Sequence, residues 1–170
     1  MCGIAGFFNP KADYTRETKK WRSILNHMNQ VQKHRGPDGS GTYLSPSCGF
    51  AHVRLKIIDL YTGAQPMLRK KDGYEFAIVF NGEIYNMDEL KAGLIAEGAD
   101  FETTSDTEVI LAGYMLHGTA FILETTISRA PCPVLGTTIP NTVQCVRKCL
   151  PLACICCRVR LMCTRERSLA

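Results

Sequence analysis

The sequence predicts a layered α/β or α+β domain built on antiparallel sheets. Three observations carry that expectation. The segments run strand, helix, several strands, helix, helix. The strand-like stretches are short, and turn residues separate them. At 170 residues, with 45% hydrophobic and 21% charged side chains, the chain has the size and composition of one soluble domain with a sizeable core.

Residues 2–8 are apolar, contain two glycines and stop before Asn9-Pro10, which reads as a short buried strand. Trp21, Ile24, Leu25, Met28 and Val31 recur at helical spacing and predict an amphipathic helix over about residues 15–32. His34-Arg35-Gly36-Pro37-Asp38-Gly39-Ser40-Gly41 is loop chemistry throughout. Strands are expected at 42–45, 49–55 and 66–70, and Asp72-Gly73 predicts a hairpin turn into a strand over 74–80. Asn86 with Glu89, and Ser105 with Glu108, predict two capped helices ended by Gly98 and Gly118.

Past Ile122 the signals stop agreeing with one another. Residues 123–170 show no sustained period of 2 or 3.6, and no linker marks the junction. Charge divides at the same place. Residues 1–122 hold 13 Lys/Arg against 14 Asp/Glu, whereas 123–170 hold 7 against 2. The front therefore carries no electrostatic footprint for nucleic acid. Only Cys2 and Cys48 lie in the front, with the other seven cysteines in the tail. Cys154-x-x-Cys157 is one zinc-type pair, but a second well-spaced pair and a histidine are missing, so no metal site is assigned. The opening residues lack a secretory pattern, and the longest apolar run in the tail is too short to span a bilayer. A cytoplasmic protein, with reduced thiols and no membrane partner, is expected.

Four segments could carry chemistry. A small residue at position 2 favours removal of Met1, which would leave Cys2 as a terminal thiol beside its own α-amine. That amine has a reference pKa of about 7.7–8.0 and can take the thiol proton. Arg54 lies in an otherwise apolar stretch and needs an anion, either a ligand carboxylate or a carboxylate of the protein. Asn81-Gly82 suits a sharp turn, and can also aim an amide and a backbone N–H at one point, as an oxyanion hole requires. Asp106 falls in the first turn of a helix, where the dipole favours a carboxylate, and it could equally receive a ligand ammonium. An α-amino acid with a side-chain amide would use all four.

The ordered set Met1-Cys2-Gly3-Ile4-Ala5-Gly6, Arg35-Gly36-Pro37-Asp38-Gly39, Arg54-Leu55-Lys56-Ile57-Ile58-Asp59, Gln65-Pro66-Met67, Asn81-Gly82-Glu83-Ile84-Tyr85-Asn86 and Ser105-Asp106-Thr107-Glu108-Val109 resembles the N-terminal domain of the asparagine synthetases, over about 122 of 170 residues. That domain is a class II glutamine amidotransferase with the N-terminal nucleophile hydrolase fold. The resemblance implies an α+β four-layer αββα sandwich, here incomplete. It implies glutamine as substrate, Cys2 as nucleophile, and Asn81 and Gly82 as oxyanion donors. It implies Arg54 and Asp106 as clamps for the α-carboxylate and α-ammonium, with backbone help from Leu55, Ile57, Ile58 and Glu83.

Two domains are expected: a glutaminase domain over 1–122, incomplete by the resemblance, and a Cys-rich basic tail over 123–170, whose abrupt change of composition reads as a frameshift, an alternative exon or a gene-model error. No cofactor is expected in the chain itself, since ATP and magnesium would belong to a synthetase domain that nothing here resembles. The tail offers no alternation to replace the family's later strands, so open sheet edges and a loosely held site are expected. Two other readings compete: an inactive fragment that at most interacts with full-length synthetase, and a Cys-rich binding module fused to a remnant.

Overall fold

A computed structural model describes residues 2–56 and 62–124, and the backbone of 160–167. The first sheet has the strand order β1-β3-β2, from β1 (Gly3–Phe8), β2 (Gly39–Leu44) and β3 (Cys48–Arg54), with both neighbours antiparallel to β3. The second sheet has the order β4-β5-β6, from β4 (Met67–Lys71), β5 (Tyr74–Asn81) and β6 (Arg160–Arg167), again antiparallel. Among the described residues four α-helices complete the fold: α1 (Thr18–Val31), α2 (Met87–Ala96), α3 (Asp106–His117) and α4 (Thr119–Glu124).

The period-2 pattern of β5 explains the layering. Phe76, Ile78 and Phe80 pack with Ile110 and Leu111 of α3, while Ala77 and Val79 pack with Ile4, Tyr43, Cys48 and Phe50 of the first sheet. Helix α1 lies against the first sheet. The layers therefore run α1, first sheet, second sheet, α3, which is the αββα order expected. In β3 the run Cys48–Val53 is buried throughout, as a central strand covered on both faces must be.

Local chemistry accounts for most boundaries. Asp72 and Gly73 both adopt positive φ, 52° and 74°, giving the two-residue turn that the β4–β5 hairpin requires. Gly98 and Gly118 end α2 and α3 at φ of 89° and 63°. A 3-10 turn at Tyr14–Glu17 precedes α1, and Phe7, Tyr14 and Trp21 form an edge-packed cluster with centroids 4.6–4.9 Å apart that ties both to β1.

Four expectations are corrected. Val31 is 67% exposed rather than part of the buried face of α1, where Leu25 and Asn29 are buried instead. Asn29 turns inward because its amide donates to the Gly41 carbonyl of the edge strand β2 at 3.0 Å. Asn86 holds the N-cap position of α2 without a side-chain capping bond. Ser105 caps α3 by accepting from the Thr107 N–H, but Glu108 does not reciprocate. Its buried carboxylate instead accepts from the N–H groups of Glu102 and Thr103, at 2.9 and 2.7 Å, and pairs with Arg69. Finally, the tail does contain a strand: β6 pairs with β5 along eight residues, from Tyr74↔Arg167 to Asn81↔Arg160. The periodicity of the tail gave no sign of it, because the pairing is dictated by an acceptor strand far away in sequence.

Candidate functional site

The nucleophile candidate stands at the mouth of β1. Gly3 pairs with Val53, so the residue before it lies beside the chain leaving β3. There the Leu55 N–H donates to Cys2 Sγ at 3.3 Å, and the thiol faces the Leu55 carbonyl at 3.6 Å. Cys2 is half-buried. Its own carbonyl accepts from Arg35 Nε at 3.1 Å.

Arg35 ends a 3-10 turn at Lys33–Arg35 and opens the loop that runs to β2, a segment the sequence read as loop chemistry and as one motif of the resemblance, without roles for its side chains. The structure gives that loop a job. A Cβ on Gly36 would meet the Val53 carbonyl carbon at 2.5 Å and the Arg54 nitrogen at 2.6 Å, so only glycine allows the loop to lie on β3. The Asp38 N–H donates to the Arg54 carbonyl at 3.0 Å, and Asp38 Oδ2 accepts from the Lys56 N–H at 2.9 Å. The loop thus clasps the backbone of residues 53–56, which carries Arg54 and Leu55. Arg35 and Asp38 were missed as site residues. The available signal was a pair of charges flanking Gly-Pro within a tight loop.

The Arg54 guanidinium reaches the N-terminal end of α3. A Cβ on Gly63 would stand 2.7 Å from its Nη2 and 3.5 Å from Ser105 Oγ, which places all three together. Next to Ser105, Asp106 is partly buried, and burial pushes its carboxyl above the ordinary aspartate range. Hydrogen bonds from Thr107 and from the Ile84 backbone oppose that rise, while the nearby charge of Glu83 adds to it. Asp106 therefore faces the turn that follows Asn81-Gly82. Gln65 closes the same set: its Oε1 accepts from the Phe80 N–H at 2.6 Å, and its Nε2 donates to Thr107 Oγ1 at 3.1 Å. Asn81 is half-buried, while Gly82 and Glu83 are exposed.

Part of the predicted set lies in a chain of neighbours. Cys2 touches Leu55, which adjoins Arg54; Arg54 lies by Ser105, which adjoins Asp106; Asp106 faces Glu83 and Ile84. Among the described residues no side-chain hydrogen bond joins Cys2 to Asn81. Ile57 and Ile58 lie outside the described residues. A guanidinium, a carboxylate and a thiol arranged this way can hold the two ends of a zwitterion while a sulfur attacks a third group.

His52 was not singled out by sequence. It is fully buried on β3, two residues from Arg54, and neither ring nitrogen meets hydrogen-bonding geometry. Burial, helped by the Arg54 charge, pushes its pKa down to about 4, against a weaker pull from the Phe80 backbone. It is therefore a neutral imidazole at pH 7. Elsewhere, a surface hollow lined by Leu68, Arg69, Lys70, Glu75 and Glu102 lies on the β4–β5 hairpin, and its charges are taken up by the pairs Arg69–Glu102 and Lys70–Glu75. Among the described residues no cluster of three or more His, Cys, Asp or Glu could hold a metal ion, and no helix is long and apolar enough to cross a membrane.

An αββα domain with a half-buried near-terminal thiol against Leu55, next to Arg54, has the layering of the N-terminal nucleophile hydrolase class. The chain belongs to the glutamine amidotransferase domain family, whose sequence profile matches residues 1–126. It is 44% identical over 114 residues to asparagine synthetase [glutamine-hydrolyzing] 1 of Bacillus subtilis (strain 168), covering 67% of this chain and 17% of the relative. It is 40% identical over 122 residues to asparagine synthetase B [glutamine-hydrolyzing] of Escherichia coli (strain K12), covering 72% of this chain and 21% of the relative. The chain thus spans about a fifth of the length of these curated relatives. Among solved structures it is similar to the glutamine phosphoribosylpyrophosphate amidotransferase of B. subtilis, at 25% identity and a TM-score of 0.42, over 49% of this chain and 20% of that one.

Proposed function

We propose that this domain hydrolyses the side-chain amide of glutamine to glutamate and ammonia, as the glutaminase portion of a glutamine-hydrolysing asparagine synthetase. The single observation that carries the reading is the Leu55 N–H on Cys2 Sγ, which sets the nucleophile one residue from the Arg54 clamp.

With Met1 removed, the Cys2 α-amine takes the thiol proton and Sγ attacks the amide carbon. The Asn81 amide and the Gly82 N–H receive the oxyanion. Arg54 binds the α-carboxylate and Asp106 the α-ammonium, with backbone contacts from Leu55, Ile57, Ile58 and Glu83. The protonated amine returns its proton to the leaving nitrogen, the C–N bond breaks, and ammonia departs from a γ-glutamyl thioester. Water then attacks the thioester, releasing glutamate and the thiol. The raised proton affinity of Asp106 suits a clamp that gains its partner on binding, since an incoming ammonium restores the charge that burial disfavours.

The ammonia would serve a ligase that forms asparagine. ATP and magnesium belong to that reaction and hence to the part of the relatives this chain does not cover. Full-length synthetase is the natural partner, and the cytoplasm the natural compartment. The test is glutamate release from glutamine by the purified chain, with Cys2→Ala as the control. Activity in the unaltered chain that the control lacks establishes the reading, while equal release from both removes it.

A further inference from the structure

The strand β6 lies beyond the family-matching residues 1–126, joined to α4 through 35 residues of chain. We propose that Arg160–Arg167 is the segment that satisfies the outer backbone edge of β5 and thereby fixes the Asn81-Gly82 turn. The tail then supplies an interaction that the described residues of the family-matching part leave open.

The register makes this specific. β4 pairs with β5 only as far as Met67↔Ile78, so the last three residues of β5 have no β4 partner. Along β5, successive N–H groups point to opposite edges. The Phe80 N–H turns to Gln65, on the β4 side, and those of Phe76 and Ile78 share its direction. The N–H groups of Ala77, Val79 and Asn81 therefore point the other way. Ala77 and Val79 are fully buried between the sheets, where an unpaired backbone donor is strongly disfavoured. Opposite them stand Thr164, Met162 and Arg160 of β6. The pairing of Asn81 with Arg160 comes one residue before Gly82, so the strand ends where the proposed oxyanion turn begins. Because the Val79 N–H points at β6, Val79 and Met162 form a hydrogen-bonded pair, and the Met162 N–H returns a bond to the Val79 carbonyl.

The test is residue-resolved amide hydrogen exchange on the full chain and on the full-length Met162→Pro variant, which removes that donor. In the unaltered chain the amides of Ala77, Val79 and Asn81 should be protected to the same degree as that of Ile78. In Met162→Pro those three should exchange at least tenfold faster, while Phe50 and Ala51 in the first sheet stay protected. Unprotected Ala77, Val79 and Asn81 in the unaltered chain, beside a protected Ile78, would overturn the proposal. So would unchanged protection in Met162→Pro. The link to the active site rests on the glutaminase reading and has its own readout. Met162→Pro should lower glutamate release more than tenfold, and equal turnover would refute that link. A chain with protected β5 amides and no glutaminase activity would instead remove the functional reading and leave the strand assignment standing.

Discussion

The N–H of Leu55 donates to the sulfur of Cys2 at 3.3 Å, so residues 53 positions apart meet at one atom. Pairing of Gly3 with Val53 places the start of β1 beside the end of β3, and the Arg35 contact to the Cys2 carbonyl holds Cys2 from the other side. Replacing Cys2 by Ala, or blocking removal of Met1, is expected to abolish glutamate release, because the first deletes the nucleophile and the second its base. Arg35→Ala keeps both but frees the terminus. Its turnover is expected to fall by about a hundredfold, the scale set by ångström misplacement. Steady-state kinetics on the three variants checks this, and normal turnover in Arg35→Ala would show that the carbonyl contact is dispensable.

Arg54→Ala and Asp106→Ala are expected to weaken glutamine binding by about 2–5 kcal/mol each, since each leaves a substrate charge unpaired in a partly buried site. Gly63→Ala gives a subtler version. Its new methyl would stand 2.7 Å from Arg54 Nη2 and must displace the guanidinium. An increase in KM of about tenfold, with little change in melting temperature, is the expected result, on the order of one lost charged hydrogen bond. Calorimetric titration with glutamine and thermal unfolding together separate a binding defect from misfolding.

The layered class with antiparallel sheets, the hairpin turn and the helix stops were legible because each rests on local chemistry: short strands separated by turn residues, Asp72-Gly73 at positive φ, and glycine at 98 and 118; the αββα order came through the resemblance. The neighbourhood of Arg54 and Asp106 was legible only as a set, through the resemblance. What stayed hidden depended on distant partners. Glu108 carries the same sequence signature whether it caps a helix or pairs with Arg69 from another strand. His52 looks like any strand residue until β5 covers it. β6 has no pattern of its own and exists as a strand only against β5.

Glu108 should contribute more to stability than a cap would. Burial works against its charge. The N–H groups of Glu102 and Thr103, the Thr103 hydroxyl and the Arg69 guanidinium outweigh that cost and hold its carboxyl below the ordinary glutamate range. Its side chain is 1% exposed, against 21% for Arg69. Glu108→Ala therefore leaves two loop N–H groups and the Thr103 hydroxyl without their acceptor and takes one of two carboxylates from the Arg69 guanidinium, which keeps Glu102, and about 3 kcal/mol of stability should be lost. An Arg69→Met, Glu108→Met double variant should recover part of the ion-pair cost but not that of the loop. Urea unfolding of the three chains measures this, and a loss below about 1 kcal/mol in Glu108→Ala would reduce Glu108 to an ordinary helix cap.

His52 should set the acid limit of the fold. Its folded pKa, about 4, lies below the ordinary value of 6.5. Between those values the unfolded chain binds a proton that the folded chain refuses, so unfolding is favoured as pH falls. The stability contributed by neutral His52 is fully present above pH 6.5 and is lost progressively toward pH 4, by about 3 kcal/mol at most. Glu108, held below its ordinary range, adds a loss in the same direction at lower pH, so the two limbs separate best near pH 5. Asp106 runs the other way. Its carboxyl is raised, so it favours the folded chain below the ordinary aspartate range, and that contribution is lost as pH rises through its folded pKa. The discriminating variant is His52→Leu. It removes a buried ring whose nitrogens meet no hydrogen-bonding geometry, so it should cost little at pH 7, where no polar group loses a partner. Urea midpoints at pH 7.5 and pH 5 should differ clearly in the unaltered chain and much less in His52→Leu. Equal acid sensitivity in the two chains would mean that His52 is protonated in the folded state, and that the space between β3 and β5 admits water.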